Sequence, residues 1–206
     1  MTDEIGKFDR RAIAVRYLAL AMAAAAIGFA GWGTAHRLAE VAPGHDISIA
    51  FPFTAEQGQW FFQEVTEIGE SVDISFTAVT IPYPNPTPAM LVALWADPIA
   101  TFLAVAAGSM VAATFLQRLA RGKALEEGTA RLVFAGAGIL AAWWGVNTLA
   151  TVVTTMGIRE WFFDKAHEGG LVPIELSPLI WALFLGAVGV AFRLGERLRR
   201  DTAGLV

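Results

Sequence analysis

The chain alternates between long apolar stretches and shorter segments that carry the charges. Four stretches contain no Asp, Glu, Lys or Arg, and their lengths are 19, 20, 27 and 17 residues: 17–35, 98–117, 132–158 and 176–192. A helix needs about 20 apolar residues to cross the hydrocarbon core of a bilayer. The last stretch is short, but the arginines that follow it can snorkel and extend its reach. The pattern predicts four spans at about 12–38, 98–120, 130–157 and 177–199.

The composition agrees with this pattern. Of the 206 residues, 55% are hydrophobic and 17% are charged, whereas an ordinary soluble chain has about 25% charged residues. Helices buried in a soluble core are the alternative, but four stretches of this length in one small chain argue against it. Cysteine is absent, which excludes disulfides, thiolate metal sites and cysteine nucleophiles.

Basic residues are distributed unevenly between the two sides of the predicted spans. Of the 15 Lys and Arg residues, all but Arg37, Arg159 and Lys165 lie before the first apolar stretch, between the second and third, or after the fourth. The positive-inside rule therefore predicts that both termini are cytoplasmic. The basic start also resembles a secretory signal peptide, but its apolar run exceeds the usual range of roughly 7–15 residues. We expect an uncleaved first helix.

The segment between the first two spans, 40–96, has a strand-like pattern. Hydrophobic residues alternate with smaller or polar ones in 45–53 and again in 71–80, which is typical of half-buried strands. Between these segments, Thr54 and Gln57 fit a capping box. We expect a strand, a short helix and a second strand in an extracytoplasmic loop.

Prolines then mark the return to the membrane, at positions 82, 84, 86 and 88. Their spacing favours an extended polyproline-II spacer. Asp97 and Pro98 fit the N-cap and first position of the second span. In the second outer loop, 172–176 is expected to add a third strand. The fold predicted for residues 1–206 is a single all-α transmembrane domain, a four-helix bundle with a small extracytoplasmic cap of strands from the two outer loops.

Histidine offers the first candidate for chemistry. His36 and Glu40 stand four residues apart and so share a helix face at the outer end of the first span. With His45 or His167 they would make a histidine–carboxylate metal site and an outer-leaflet metal-dependent enzyme. Three histidines in this chain are also easily accidental, and the HExxH motif is absent. We therefore predict no metal, no cofactor and no catalytic residue.

The third span carries a polar stripe of Asn147, Thr151 and Thr155 at spacing four. Interhelical hydrogen bonding is the usual reason for such a stripe, and a solute- or water-lined cavity is the alternative. A transporter or proton relay normally has an ionisable residue deep in a span. With the second span starting at Pro98, none of the four spans contains an ionisable residue deep within it. This absence argues against transport.

Small residues recur at spacing four within the spans. The third span has Ala137, Ala141 and Gly145, and the same spacing occurs at Ala24/Gly28, Gly108/Ala112 and Ala182/Gly186. Such residues let helix backbones approach closely. The sequence leaves open whether they serve packing within the bundle or a face for another membrane protein.

Two segments carry a resemblance to a known family. Residues 201–206, DTAGLV, follow a span and a basic helix end, and the connection before the third span contains Gly122, Ala130 and Arg131. Over roughly 121–206 the chain resembles the bacterial membrane family known as domain of unknown function 2975. It departs where the family has Pro, Phe and Thr, at Ala124, Leu125 and Glu126.

This resemblance implies four spans and no established activity or catalytic residues. Some members are encoded beside small helix-turn-helix regulators, which implies a sensory or regulatory role. We expect a non-enzymatic interaction, sensor-like or accessory subunit of a complex in the bacterial plasma membrane. Its expected partners are lipids and another membrane protein or a regulator, without direct nucleic-acid binding. The alternative is a small transporter or channel that uses the polar stripe.

Overall fold

Four long helices and one pair of strands make up the described part of the chain. The computed structural model describes residues 2–41, 47–51, 79–83, 86–123, 126, 128–162 and 174–203. The elements in chain order are α1 Thr2–Glu40, β1 Ile47–Phe51, β2 Val79–Tyr83, α2 Pro88–Ala120, α3 Thr129–Phe162 and α4 Ser177–Ala203.

Each helix is long and apolar enough to cross a membrane. The spanning segments are Ile13–Glu40, Pro88–Ala120, Thr129–Gly157 and Ser177–Thr202. The prediction of four helical spans is confirmed, and by the length and composition of its helices the chain is a multi-pass membrane protein.

Helix α2 begins ten residues earlier than the sequence predicts. Thr87 is its N-cap, and the Thr87 hydroxyl accepts a hydrogen bond from the Met90 amide at 3.3 Å. Pro88 occupies the start of the helix, where a missing N–H has no cost. The predicted start at Asp97 and Pro98 is therefore wrong: Pro98 lies inside the helix. Membrane helices tolerate an internal proline because neighbouring groups compensate for the lost hydrogen bond.

The two strands pair antiparallel. Ile47 lies opposite Tyr83, and Phe51 lies opposite Val79. Pro82 belongs to β2, in a two-stranded sheet where both strands are edges, and an edge strand tolerates a residue without an N–H. The first of the four prolines therefore lies in a strand and not in the predicted polyproline-II spacer.

The predicted strands agree with the structure only in part. β1 lies within the predicted strand 45–53, and β2 overlaps only the end of the predicted strand 71–80. The predicted helix from Thr54 to residue 70 lies outside the described residues. In the second loop, 174–176 precede α4 without strand structure. A cap built of strands from both loops is therefore not supported.

Helix α1 packs on α2. The Thr34 hydroxyl donates to the Pro98 carbonyl oxygen at 3.1 Å, and a Cβ on Gly31 would lie 3.5 Å from the Phe102 ring. Much of the remaining α1 surface is exposed, and Phe29 is 82% accessible. Since lipid tails are as apolar as these side chains, this exposure is compatible with a membrane.

Aromatic rings and a glycine mark the contacts of α4 with α2 and α3. The Phe115 ring of α2 meets the Phe192 ring of α4 edge to face, with centroids 5.7 Å apart. Between α3 and α4, a Cβ on Gly189 would lie 3.0 Å from the Phe134 ring. The glycine leaves room for the Phe134 ring, and α3 and α4 therefore pack closely at this point.

The connection between α2 and α3 depends on two glycines with positive φ, Gly122 at 69° and Gly128 at 96°. Such angles are easy for glycine and strained for other residues. A Cβ on Gly128 would also lie 3.1 Å from the Arg118 guanidinium. Helix α3 then begins with the Ala130 amide donating to the Glu196 carboxylate of α4 at 2.9 Å. We call the end of the helices that carries Arg118, Arg131 and Arg193 the arginine-rich end.

At the opposite end, Met90 of α2 packs against Gly157 of α3. Met90 is 1% exposed, and a Cβ on Gly157 would lie 2.7 Å from the Met90 Cγ. This overlap means that only glycine at 157 leaves room for the methionine where it stands.

We predict that Gly157→Ala destabilises the protein by about 1–3 kcal/mol, because the added methyl group displaces a buried side chain. Met90→Ala should restore part of the loss when it is combined with Gly157→Ala. The measurement is the midpoint of unfolding in detergent, followed by circular dichroism.

Gly145→Ala is the matched control. No atom outside its own helix lies within 4 Å of a Cβ at Gly145, and alanine is about 0.8–1.0 kcal/mol better than glycine within a helix. The control should leave stability equal or higher. A Gly157→Ala protein as stable as the control would contradict the packing argument.

Candidate functional site

An ionisable side chain lies inside helix α2 and is bonded to the polar stripe of α3. The Asn147 side-chain amide donates to the Asp97 carboxylate at 2.5 Å, and both residues are half-buried. Asp97 is the tenth residue of α2 and lies within its candidate membrane span. The expectation that no ionisable residue lies deep in a span depended on a helix start at Pro98, and the earlier start places Asp97 within the candidate span.

Further hydrogen bonds join the helices at nearly the same height. One turn along α2, the Thr101 hydroxyl accepts from the Trp143 indole N–H of α3 at 2.9 Å. On the other side of α2, Thr34 of α1 bonds the Pro98 carbonyl. We call this group of six residues the polar layer, with the members Thr34, Asp97, Pro98, Thr101, Trp143 and Asn147. It ties three helices together.

The polar layer lies at one boundary of the expected hydrocarbon core. Asp97 precedes Arg118 by 21 residues in α2, which is about 30 Å along a helix. That distance equals the typical thickness of the core. With Arg118 at one membrane surface, the Asp97 carboxylate lies near the other.

Two threonines of α3, one of them in the polar stripe, bond within their own helix. The Thr151 hydroxyl donates to the Asn147 carbonyl at 2.9 Å, and the Thr154 hydroxyl donates to the Ala150 carbonyl at 2.7 Å. Thr155 is buried, with 7% of its surface exposed. The structure thus uses Asn147 to link two helices and leaves the threonines packed along α3.

The small-residue stripe of α3 has mixed surroundings. Ala137 and Ala141 are half-buried, whereas Gly145 is exposed and a Cβ there would meet no atom within 4 Å. The close approaches of α3 occur instead at Gly157 against Met90 and, from the α4 side, at Gly189. Spacing alone did not separate these glycines from Gly145.

A cleft of about 540 Å³ lies between α2, α3 and α4. Its α2 lining includes Ala104, Gly108 and Ala112 at spacing four, and a Cβ on Gly108 would meet no atom within 4 Å. The lining is otherwise apolar, apart from the Thr101–Trp143 pair at one end. The full lining is Thr101, Ala104, Val105, Gly108, Val111, Ala112, Phe115, Leu132, Val133, Gly136, Ile139, Leu140, Trp143, Leu185 and Val188. Asn147, Thr151 and Thr155 do not line it.

His36 and Glu40 share a helix face, as their spacing predicts. The imidazole Nε2 lies 3.9 Å from the Glu40 carboxylate, and the same carboxylate lies 3.4 Å from the Arg37 guanidinium. All three side chains are exposed. Among the described residues no three His, Asp or Glu side chains gather as metal ligands would; His45 and His167 lie outside the described residues.

No family model, no curated protein and no solved structure matches the chain. The resemblance to domain of unknown function 2975 therefore stays a prediction.

We predict that Asn147→Leu destabilises the protein by about 1–3 kcal/mol, because a partly buried carboxylate loses its donor. Asp97→Asn should cost less, since its amide oxygen can still accept from Asn147. The measurement is reversible unfolding in mixed micelles, followed by circular dichroism.

Thr151→Val provides the comparison. Its hydroxyl bonds only a carbonyl that is already part of the helix ladder, so we expect a change within about 0.5 kcal/mol. Equal losses for Asn147→Leu and Thr151→Val would show that the bond between α2 and α3 contributes nothing of its own.

Proposed function

We propose that this protein is a non-enzymatic accessory or sensor-like subunit of a membrane complex, and that a transmembrane helix of another protein packs its side chains into the apolar cleft. The observation that carries the proposal is a row of small residues in the α2 lining of that cleft. Ala104, Gly108 and Ala112 follow each other at spacing four and line a volume of about 540 Å³.

The chemistry of the cleft favours the side chains of a helix as its occupant. Between apolar helices in lipid, association depends on close van der Waals packing, and small residues at spacing four permit it. The open space over Gly108 lets a neighbouring backbone approach α2. Because the lining offers almost no polar groups, it suits an apolar segment and gives no means of binding a polar solute.

The cellular setting is part of the proposal. The distribution of Lys and Arg supports a plasma membrane protein with both termini in the cytoplasm. The resemblance to domain of unknown function 2975 supports a bacterial source and a regulatory role. On this orientation the paired strands β1 and β2 belong to the extracytoplasmic loop, and the polar layer lies toward the outer leaflet.

We predict that Gly108→Leu with Ala112→Leu abolishes association with the partner, because two large side chains fill the space for its side chains. A photo-crosslinking amino acid at Val105, which also lines the cleft, reports the contact in native membranes. The wild-type background should give a discrete crosslinked species, reduced at least tenfold in the double variant.

Ala24→Leu with Gly28→Leu is the matched control. This pair has the same spacing on α1, both residues are exposed, and a Cβ on Gly28 would meet no atom within 4 Å. The control should leave the crosslink intact. Crosslinks to lipid alone, or to a second copy of the 22.0 kDa chain, would contradict an accessory subunit.

Asp97 favours a second candidate function, a small transporter or channel. An ionisable residue within a span is costly in hydrocarbon and is commonly functional. Here it stands beside Asn147, at the start of the polar stripe. The apolar cleft does not reach this pair, so transport ranks behind the interaction function.

On this second function, Asp97→Asn should reduce proton flux at least tenfold in proteoliposomes that contain a pH-sensitive dye. Asparagine keeps the hydrogen bond from Asn147 but cannot exchange a proton. Thr114→Val, which removes an exposed hydroxyl bonded to its own helix, should leave the flux unchanged. Equal flux in the wild type, Asp97→Asn and empty vesicles would exclude proton transport through Asp97.

A further inference from the structure

A second cavity, of about 360 Å³, lies at the arginine-rich end between α3 and α4. Its walls differ from those of the apolar cleft, because most of its lining residues are charged. They are Gly128, Ala130, Arg131, Phe134, Arg193, Glu196, Arg197 and Arg200.

Glu196 already has a structural role in this cavity. Its carboxylate accepts from the Ala130 amide at 2.9 Å, which caps the first turn of α3 and places a negative charge at the positive end of the helix dipole. Four guanidinium groups and this one carboxylate line the cavity, a formal excess of three positive charges. The excess favours an anionic ligand.

The arginines of α4 are spread along the helix over a depth that matches the lipid headgroup region. Arg193 directly follows the apolar stretch 176–192. Arg200 stands seven residues further, about 10 Å along the helix. The headgroup region on each side of a bilayer is roughly 5–8 Å thick. The cavity therefore spans the layer where the phosphates of one leaflet lie.

One aromatic side chain lines the cavity on the side of the hydrocarbon. Phe134 lines it, stands three residues beyond Arg131 toward the hydrocarbon and packs against Gly189. A soluble anion would gain nothing from this side chain, whereas a lipid would lay the start of an acyl chain against it.

We propose that this cavity binds the phosphate-bearing headgroup of an anionic phospholipid, with Arg131, Arg193 and Arg197 as its main ligands. Guanidinium groups bind phosphate oxygens in pairs, and basic pockets between membrane helices hold such headgroups. Arginines that serve only to fix the topology could lie anywhere around the helix ends. Here arginines from two helices line one cavity, while Arg121 and Arg199 lie outside it.

The test reconstitutes the full chain in nanodiscs of phosphatidylcholine with a minor fraction of phosphatidylglycerol or cardiolipin, and counts retained lipid by native mass spectrometry. Arg193→Gln with Arg197→Gln should weaken retention of the anionic lipid about 25-fold, or about fivefold for each arginine. Arg121→Gln with Arg199→Gln removes the same charge from the same end and should change retention less than threefold. Equal losses in the two double variants would overturn the proposal.

Glu196→Gln keeps an oxygen that can cap Ala130 and removes the negative charge from the cavity. It should increase retention of the anionic lipid about fivefold, so the proposal can fail even where an arginine variant does not fold. Unchanged or weaker retention in folded Glu196→Gln protein would contradict it. Saturable binding of inorganic phosphate in lipid-free detergent, with no preference for anionic lipid in nanodiscs, would assign the cavity to a soluble phosphate instead.

Discussion

Polar groups within a bilayer have to find their partners inside the protein, since hydrocarbon offers none. In this chain the constraint is concentrated in the polar layer. Asn147 supplies a donor for Asp97, and Thr34 reaches the backbone of α2 beside Pro98. These bonds fix the relative heights of α1, α2 and α3. The rotation of each helix about its own axis then decides which small residues meet across each interface.

The two ends of the helices are held by different forces. The polar layer uses hydrogen bonds between half-buried side chains, and beyond it Met90 packs into the space over Gly157. The arginine-rich end uses charge, with Glu196 at the start of α3 and arginines around it. Salt screens exposed charges, whereas it leaves apolar packing intact. The two ends are therefore sensitive to different features of the membrane environment.

The sequence predicts the spans well and the candidate site poorly. Runs of apolar residues bounded by charges identify all four helices, because helix length has to match hydrocarbon thickness. The start of α2 is ambiguous, since Thr87-Pro88 and Asp97-Pro98 both read as an N-cap followed by proline. The apolar residues between them favoured the earlier start, and with that start Asp97 belongs to a span. The partner of Asp97, the contact at Gly157 and the convergence of arginines on one cavity all depend on helix rotation, which spacing within one helix does not define.

Helix α3 continues for 15 residues past Asn147 to Phe162, a rise of about 22 Å, and α2 extends beside it from Asp97 to Pro88. These two segments pack together at Met90 and Gly157, so α2 and α3 continue as a pair of helices beyond the polar layer. Pro98 lies inside α2 at the base of this pair, and a proline within a helix is the usual site of a kink. A change in the angle between the pair and the rest of the bundle would therefore be taken up at Pro98, beside the hydrogen bond from Asn147 to Asp97.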